Sequence, residues 1–290
     1  MTRALPIRLA MGRKDVMHSS PATRGADSGL DDVPDTAHAM ADAARAAVLP
    51  YFRSRALRVD NKLPGIGFDP VTEADRAAEA AMRAVLARRR PQDAILGEEM
   101  GETPGQSGLT WVLDPIDGTR AFMAGAPTWG VLIALSDDDG PLYGLIDQPW
   151  IGERFEGGLG RASMHGPHGS AALRVRGDAP LERALLFTTS PEIGSKPECA
   201  AFAEVARQVR LVRYGLDCYA YALLALGQVD LVIEAGLNPY DIQAPMAVIA
   251  AAGGIVTDWQ GGPAHRGGRV VAAAGHAQHA AALEVLSQVA

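Results

Sequence analysis

Two aspartates three residues apart, Asp114 and Asp117, stand in the run Trp-Val-Leu-Asp-Pro-Ile-Asp-Gly-Thr-Arg-Ala-Phe at residues 111–122. Trp111, Val112 and Leu113 are an apolar run that predicts the end of a buried strand. Asp114 comes where a fourth apolar residue is expected, and Pro115 lacks the N–H that a central ladder needs, so a turn is expected there. With φ fixed at Pro115, such a turn can aim both carboxylates at one point. Gly118 permits φ > 0 or close approach of the backbone to a ligand, and Thr119 suits the N-cap of a following helix. The free N–H groups of a helix N-terminus attract an anion. Two hard oxygen ligands beside them suit a divalent cation and a phosphate together. The competing reading is an ordinary strand–turn–helix junction with two solvated aspartates.

The elements that must position these residues can be read from pattern. A first helix, capped by Asp35 or Thr36, is predicted through about Arg53, with Met40, Ala44, Val48 and Phe52 near helical spacing. Residues 60–69 contain Pro and two Gly and read as a loop carrying Lys62 and Asp69. A second helix opens at Thr72, with Asp75 at N3, and runs to Arg90 before Pro91. Capping and dipole complementation alone would account for Asp75. Ala94–Leu96 reads as a short strand entering Gly97-Glu98-Glu99, and strands are expected at 129–136, 141–147 and 152–156. His165 and His168 sit among Gly and Pro and read as loop residues.

From about Leu181 strands at 185–188, 210–213, 231–234, 254–258 and 270–273 alternate with helices at 196–209, 217–229, 240–252 and from about Ala277. That alternation predicts a sheet covered by helices. Asp241 follows Asn238-Pro239-Tyr240 at the start of one of these helices, where capping again offers a sufficient role. The expected organisation is an extension without ordered structure at 1–35, an α+β half at 36–180 with most of the acids, and an α/β half at 181–290 carrying Asp241.

Composition narrows the classes. The chain has 290 residues, 48% hydrophobic and 21% charged, with 27 basic against 34 acidic residues and a net charge of −7, the balance of a globular enzyme without a basic stripe for nucleic acid. Cys199 and Cys218 are the only cysteines, so a disulfide framework is not expected and the reducing cytoplasm is. Apolar runs fall short of the roughly 18 residues a spanning helix needs, so no membrane is expected as a partner.

Residues 111–122 resemble the central motif of the inositol monophosphatase family of metal-dependent phosphatases, and the similarity runs from about residue 36 to the C-terminus. The resemblance implies an α/β (α+β) fold, the layered α-β-α-β-α sandwich of the inositol monophosphatase and fructose-1,6-bisphosphatase type, and a homodimer. By the same match Glu98, Asp114 and the Ile116 carbonyl hold a first Mg2+. Asp114, Asp117 and Asp241 hold a second, and a looser third sits on Glu98. Oxygen-only ligation fits Mg2+ or Mn2+. Glu98 and Thr119 orient a water that attacks phosphorus directly, Asp75 lies near the metals, and the amides of Gly118 and Thr119 hold the phosphate. Glu99 supports this set from outside it, and Lys62 and Asp69 match a lysine and a metal-linked acid of the family's loop.

Thr189-Ser190-Pro191, the run from Arg213 to Tyr219 and the run from Gly236 to Ile242 resemble the family's histidinol-phosphatase branch. Histidinol phosphate carries an ammonium and an imidazole beside its phosphate, so a pocket for it should offer carboxylates. Asp217 and Glu234 are the expected ones, with Arg213 as a third substrate residue, although Asp217 reads equally as an N-cap. The expected activity is Mg2+-dependent hydrolysis of a small phosphorylated substrate, L-histidinol phosphate first. An inositol monophosphatase or a broad sugar or nucleotide phosphatase is the alternative. A regulatory binding protein on the same fold is the reading from another class, and retention of Glu98, Asp114, Asp117, Glu234 and Asp241 speaks against it.

Overall fold

Pro34 in the first turn, Asp35 beside the helix N-terminus and Val33, Ala37, Met40, Ala44 and Val48 on one buried stripe make α1 (Val33–Val48). It is the first element of a computed structural model that describes residues 29–55, 59–61 and 70–289. Lys62, Asp69 and most of the expected N-terminal extension lie outside the described residues. α1 starts two to three residues before the expected cap and stops five residues before Arg53. Pro50 cannot donate to the preceding turn, so the chain leaves the helix through turns, Tyr51 N–H to the Val48 carbonyl and Ser54 N–H to the Tyr51 carbonyl.

The chain continues through β1 (Val59–Asn61), β2 (Pro70–Thr72), α2 (Glu73–Arg89), β3 (Ala94–Gly97), β4 (Gly101–Thr103), β5 (Thr110–Asp117) and α3 (Thr119–Ala124). Next come β6 (Gly130–Asp137), β7 (Gly140–Gln148), β8 (Glu153–Gly158), β9 (Arg161–Gly166) and β10 (Gly169–Ala172). After them stand β11 (Leu185–Thr188), α4 (Lys196–Ala206), β12 (Leu211–Tyr214), α5 (Cys218–Ala225), β13 (Leu231–Leu237), α6 (Pro239–Ala251), β14 (Ile255–Asp258), β15 (Gly268–Ala273) and α7 (His276–Leu286). All fall within the unit Asp32–Ala290. Among the described residues no helix is long and apolar enough to cross a membrane.

An eight-stranded sheet runs in the order β10-β9-β8-β7-β6-β5-β3-β4 and a five-stranded one in the order β12-β11-β13-β15-β14. The first is antiparallel except where β3 lies parallel to β5. In the second, β12, β11 and β13 are parallel, while β15 runs antiparallel to both β13 and β14. One apolar cluster joins Val112, Leu132 and Ile146 of the larger sheet, Leu224 and Val248 of α5 and α6, and Val232 of the smaller sheet. A second joins the opposite face of the smaller sheet, through Leu186 and Ile233, to Phe202 of α4 and Leu286 of α7. With α1 and α2 packed on the outer face of the larger sheet, the molecule is the expected α-β-α-β-α sandwich. Glycines let its central layer close: a Cβ at Gly144 would stand 2.3 Å from the Ala244 carbonyl oxygen, and one at Gly157 2.5 Å from the Val248 Cα. α6 therefore lies directly on the backbones of β7 and β8.

The expected stop at Pro115 is corrected. β5 runs on to Asp117, pairing Asp114 with Leu132 and Asp117 with Gly130 of β6. Three steps on β5 oppose two on β6, a β-bulge. Proline is tolerated there because the bulged peptide leaves the ladder. α4 and α5 also end earlier than their patterns suggest, at Ala206 and Ala225.

Candidate active site

Asp114, 2% exposed, occupies the bulge, and its Oδ1 accepts the Ile116 N–H at 3.0 Å. Asp114, Asp117 and Asp241 each present an oxygen within 4.8 Å of the others'. Each carboxylate is fixed by backbone. Asp117 Oδ2 accepts the Cys218 N–H at 2.5 Å, which ties the end of β5 to the first turn of α5. Asp241, at N3 of α6, accepts the Asn238 N–H at 2.6 Å.

Glu98 follows β3, and its N–H bonds the Leu113 carbonyl at 3.1 Å. It stands outside the set of three, yet its charge is second only to burial in raising Asp114. Fully buried Glu79 of α2 fastens the turn after it, accepting the Glu99 N–H at 2.7 Å and the Met100 N–H at 3.1 Å. Gly97 is required here, because a Cβ would meet Glu79 Oε1 at 2.1 Å. Asp75 does form the capping box, accepting the Thr72 N–H at 2.8 Å and the Thr72 hydroxyl at 2.5 Å on Oδ2. Its buried Oδ1 has no partner among the described residues.

Burial, then the charges of Glu98, Asp117 and Asp241, push the Asp114 carboxyl well above the usual carboxylate range. Burial, then Asp217 and Asp241, does the same to Asp117 against the Cys218 hydrogen bond. Asp241 is pushed up to about 7 by burial, with Glu98 adding to it and the Asn238 amide opposing. Carboxylates, one buried and two half-buried, that repel one another and offer only oxygen fit a hard divalent cation, whose charge would relieve the repulsion.

Thr119 is corrected from N-cap to first helical residue. Gly118 takes the cap position at φ 85°, ψ 41°, and the Thr119 hydroxyl donates to the Ile116 carbonyl at 3.2 Å. Beside this turn opens a cavity of about 610 Å³ lined by Gly118, Thr119, Arg120, Thr189, Ser190 and Asp217. Asp217 precedes α5 at φ 47°, ψ −137°, and its side chain makes no capping bond, so the capping role does not hold. The carboxylate instead packs against Gly118, where a Cβ would lie 2.8 Å from Asp217 Oδ2. Burial raises it to about 6, with the Arg120 guanidinium pulling the other way.

Glu234, 6% exposed, accepts the Thr189 N–H at 2.6 Å and the Thr189 hydroxyl at 3.0 Å on one oxygen. It thus holds a wall of the cavity, and burial raises its carboxyl to about 7 against those two bonds. Arg213 is exposed on β12, an edge strand, and stands apart from the cavity lining. Sequence reasoning missed Arg120, which lay inside the central motif but whose partner is nearly a hundred residues away. Glu79 was missed for the same reason: nothing near it in sequence marks the turn it holds.

The profile described as "Inositol monophosphatase family" matches residues 30–289. The bifunctional phosphatase IMPL2, chloroplastic, of Arabidopsis thaliana is 42% identical over 86% of this chain and 70% of its own. A histidinol-phosphatase of Mycobacterium tuberculosis is 36% identical over 82% of this chain and 91% of its own. A solved inositol monophosphatase from Zymomonas mobilis matches with a TM-score of 0.78 and 40% identity, covering 91% of this chain and 100% of that one.

Proposed function

The chain belongs to the inositol monophosphatase family and is a phosphoric monoester hydrolase, and on that premise we propose that it hydrolyses L-histidinol phosphate to L-histidinol and phosphate. The carrying observation is Asp217: a half-buried carboxylate on a left-handed backbone, in the wall of a cavity that starts at the Gly118–Thr119 turn. A substrate held there by its phosphate would bring an ammonium or imidazolium to that carboxylate, and such charge-assisted bonds are roughly twice as strong as neutral ones. The 36% identical histidinol-phosphatase supports this reading.

Mg2+ is the proposed ion, held by Glu98, Asp114, the Ile116 carbonyl, Asp117 and Asp241. When bound it would supply positive charge to the phosphate and acidify water. The chain's own groups do the rest. The Gly118 and Thr119 amides hold the phosphate oxygens. Glu98 and the Thr119 hydroxyl orient the attacking water, and Glu98 takes up its proton, with Asp75, whose Oδ1 has no partner among the described residues, supporting the site. Direct attack by water needs no covalent intermediate on the protein. A homodimer in the cytoplasm, serving histidine biosynthesis, completes the proposal.

The test is phosphate release with Mg2+ from histidinol phosphate, inositol 1-phosphate, fructose 1,6-bisphosphate and a 3′-phosphonucleotide, side by side. A preference of about a hundredfold in kcat/KM, roughly 2.7 kcal/mol, for histidinol phosphate supports the reading. Flat activity replaces it with a generalist phosphatase, the reading favoured by the bifunctional relative.

A further inference from the structure

α3 carries Thr119 and Arg120 in its first turn yet is only six residues long, with Phe122 its one buried side chain. A helix so short does not hold itself, so its direction must be imposed from outside. Phe122 provides one attachment, packed at centroid distances of 5.3 Å from Phe52 and 4.9 Å from Trp129. The start of the helix is tied through Asp117, which accepts the Cys218 N–H, and through Thr119, which bonds the Ile116 carbonyl; its far end needs a hold of its own.

Arg53 supplies a further attachment, at the end away from the acidic cluster. Its Nε donates to the carbonyl of Gly125, the C-cap of α3, at 3.0 Å. Its guanidinium carbon lies 5.1 Å from the Phe52 ring centroid and 4.8 Å from that of Trp150, with the two rings themselves 5.0 Å apart. The C-terminal carbonyls of a helix lack partners and carry its negative end, so a guanidinium suits the place in both hydrogen bonding and charge. Arg53 reaches it from φ 60°, a region non-glycine residues seldom occupy. A backbone held off its preference for one contact is a pointer to function.

We propose that Arg53 is a positioning residue for the reaction: it clamps the far end of α3 so that the Gly118–Thr119 amides and the Thr119 hydroxyl stay aimed at the acidic cluster. The proposal rests on the reading that those groups hold phosphate and water. Removing the clamp lets the first turn of α3 wander without removing any group that touches substrate. The transition state is then penalised more than ground-state binding.

Arg53→Ala and Arg53→Lys, with Mg2+ and a simple aryl phosphate, test this. Arg53→Ala should lower kcat about tenfold with KM nearly unchanged, since misplacement of about 1 Å can cost up to a hundredfold. Arg53→Lys, which keeps the charge and a donor, should fall between it and the wild type. Guanidinium ion in the buffer should restore part of the Arg53→Ala rate, and urea at the same concentration should not. Amide exchange provides a readout independent of turnover: residues 119–125 should lose protection in Arg53→Ala while β5 and α5 keep theirs. Unchanged exchange over 119–125 overturns the proposal, as does an unchanged kcat in a variant that has merely lost thermal stability. A wild type inactive on every phosphomonoester would sink the phosphatase reading instead, and exchange would still decide the clamp.

Discussion

The carboxylate of Asp217 rests on Gly118: a Cβ built on that glycine would come 2.8 Å from Asp217 Oδ2. Segments about a hundred residues apart thus meet across a position with no side chain, at φ +85°. Gly118→Ala introduces a clash and a disfavoured backbone together. It should cost about a hundredfold or more in kcat/KM with the fold intact by circular dichroism. Wild-type turnover in that variant would contradict the close packing.

Asp217→Asn keeps the volume and removes the charge. It should reduce kcat/KM for histidinol phosphate by about tenfold to a hundredfold more than for an aryl phosphate, the range expected when a charged partner is lost. Equal losses on both substrates would strip Asp217 of a specificity role. Asp217→Gly should behave the same way in kinetics while relieving the φ 47° backbone, a gain of about 1 kcal/mol visible in urea unfolding.

Asp114→Asn removes one charge from a cluster that repels itself. Without metal the variant should unfold at the wild-type temperature or above it, because a buried, uncompensated charge has been lost. Added Mg2+ should raise Tm in the wild type and leave the variant unmoved, as expected when a ligand stabilises only the state that binds it. An equal Mg2+ shift in both would refute the assignment of Asp114 as a metal ligand.

Acid sensitivity should come from the opposite side of the larger sheet. Burial raises the Glu156 carboxyl, but hydrogen bonds from His38, Tyr143 and Ser163 outweigh it and bring the group down to about 2 from an ordinary 4.5. The Tyr143 hydroxyl donates at 2.7 Å and the Ser163 hydroxyl at 2.9 Å. A depressed carboxylate stabilises the fold fully above its unfolded value, and that contribution disappears as pH falls from about 4.5 through about 2. Glu156→Gln should therefore flatten the fall in unfolding free energy between about pH 5 and about pH 3 by roughly 1–2 kcal/mol. Identical slopes for variant and wild type would show that other acids carry it.

Local chemistry made much of the site legible. Thr72 with Asp75, and Asn238 with Asp241, are N-cap partners whose spacing alone announces a helix start, and both structural roles persist beside the acidic cluster. The alternation after Leu181 announced the second sheet because each strand and helix there has its own period. Tertiary partners hid the rest. Whether β5 stops at Pro115 depends on what β6 offers opposite it, and the end of α1 depends on Pro50 outweighing an apolar spacing that continues to Phe52. Asp217 read equally as a cap and as a substrate carboxylate, because its type and place allow both and a positive φ on an aspartate has no signature in composition. Arg213 resembled a substrate residue through its neighbours, but an edge strand turns it to solvent.

The bulge in β5 has a consequence for inheritance. Asp114 and Asp117 face Leu132 and Gly130, two rungs apart on β6, so both lie on one side of the sheet, as alternate residues do. An uninterrupted strand would reach the same phase with one residue fewer. The loss of a single codon between the two aspartates would therefore leave every later strand in step and every core side chain facing inward. It would erase the bulge itself, in which the Ile116 N–H bonds Asp114 and the Ile116 carbonyl receives Thr119. Sheet and chemistry are thus separable by one codon, and a descendant could shed the reaction while keeping the scaffold whole.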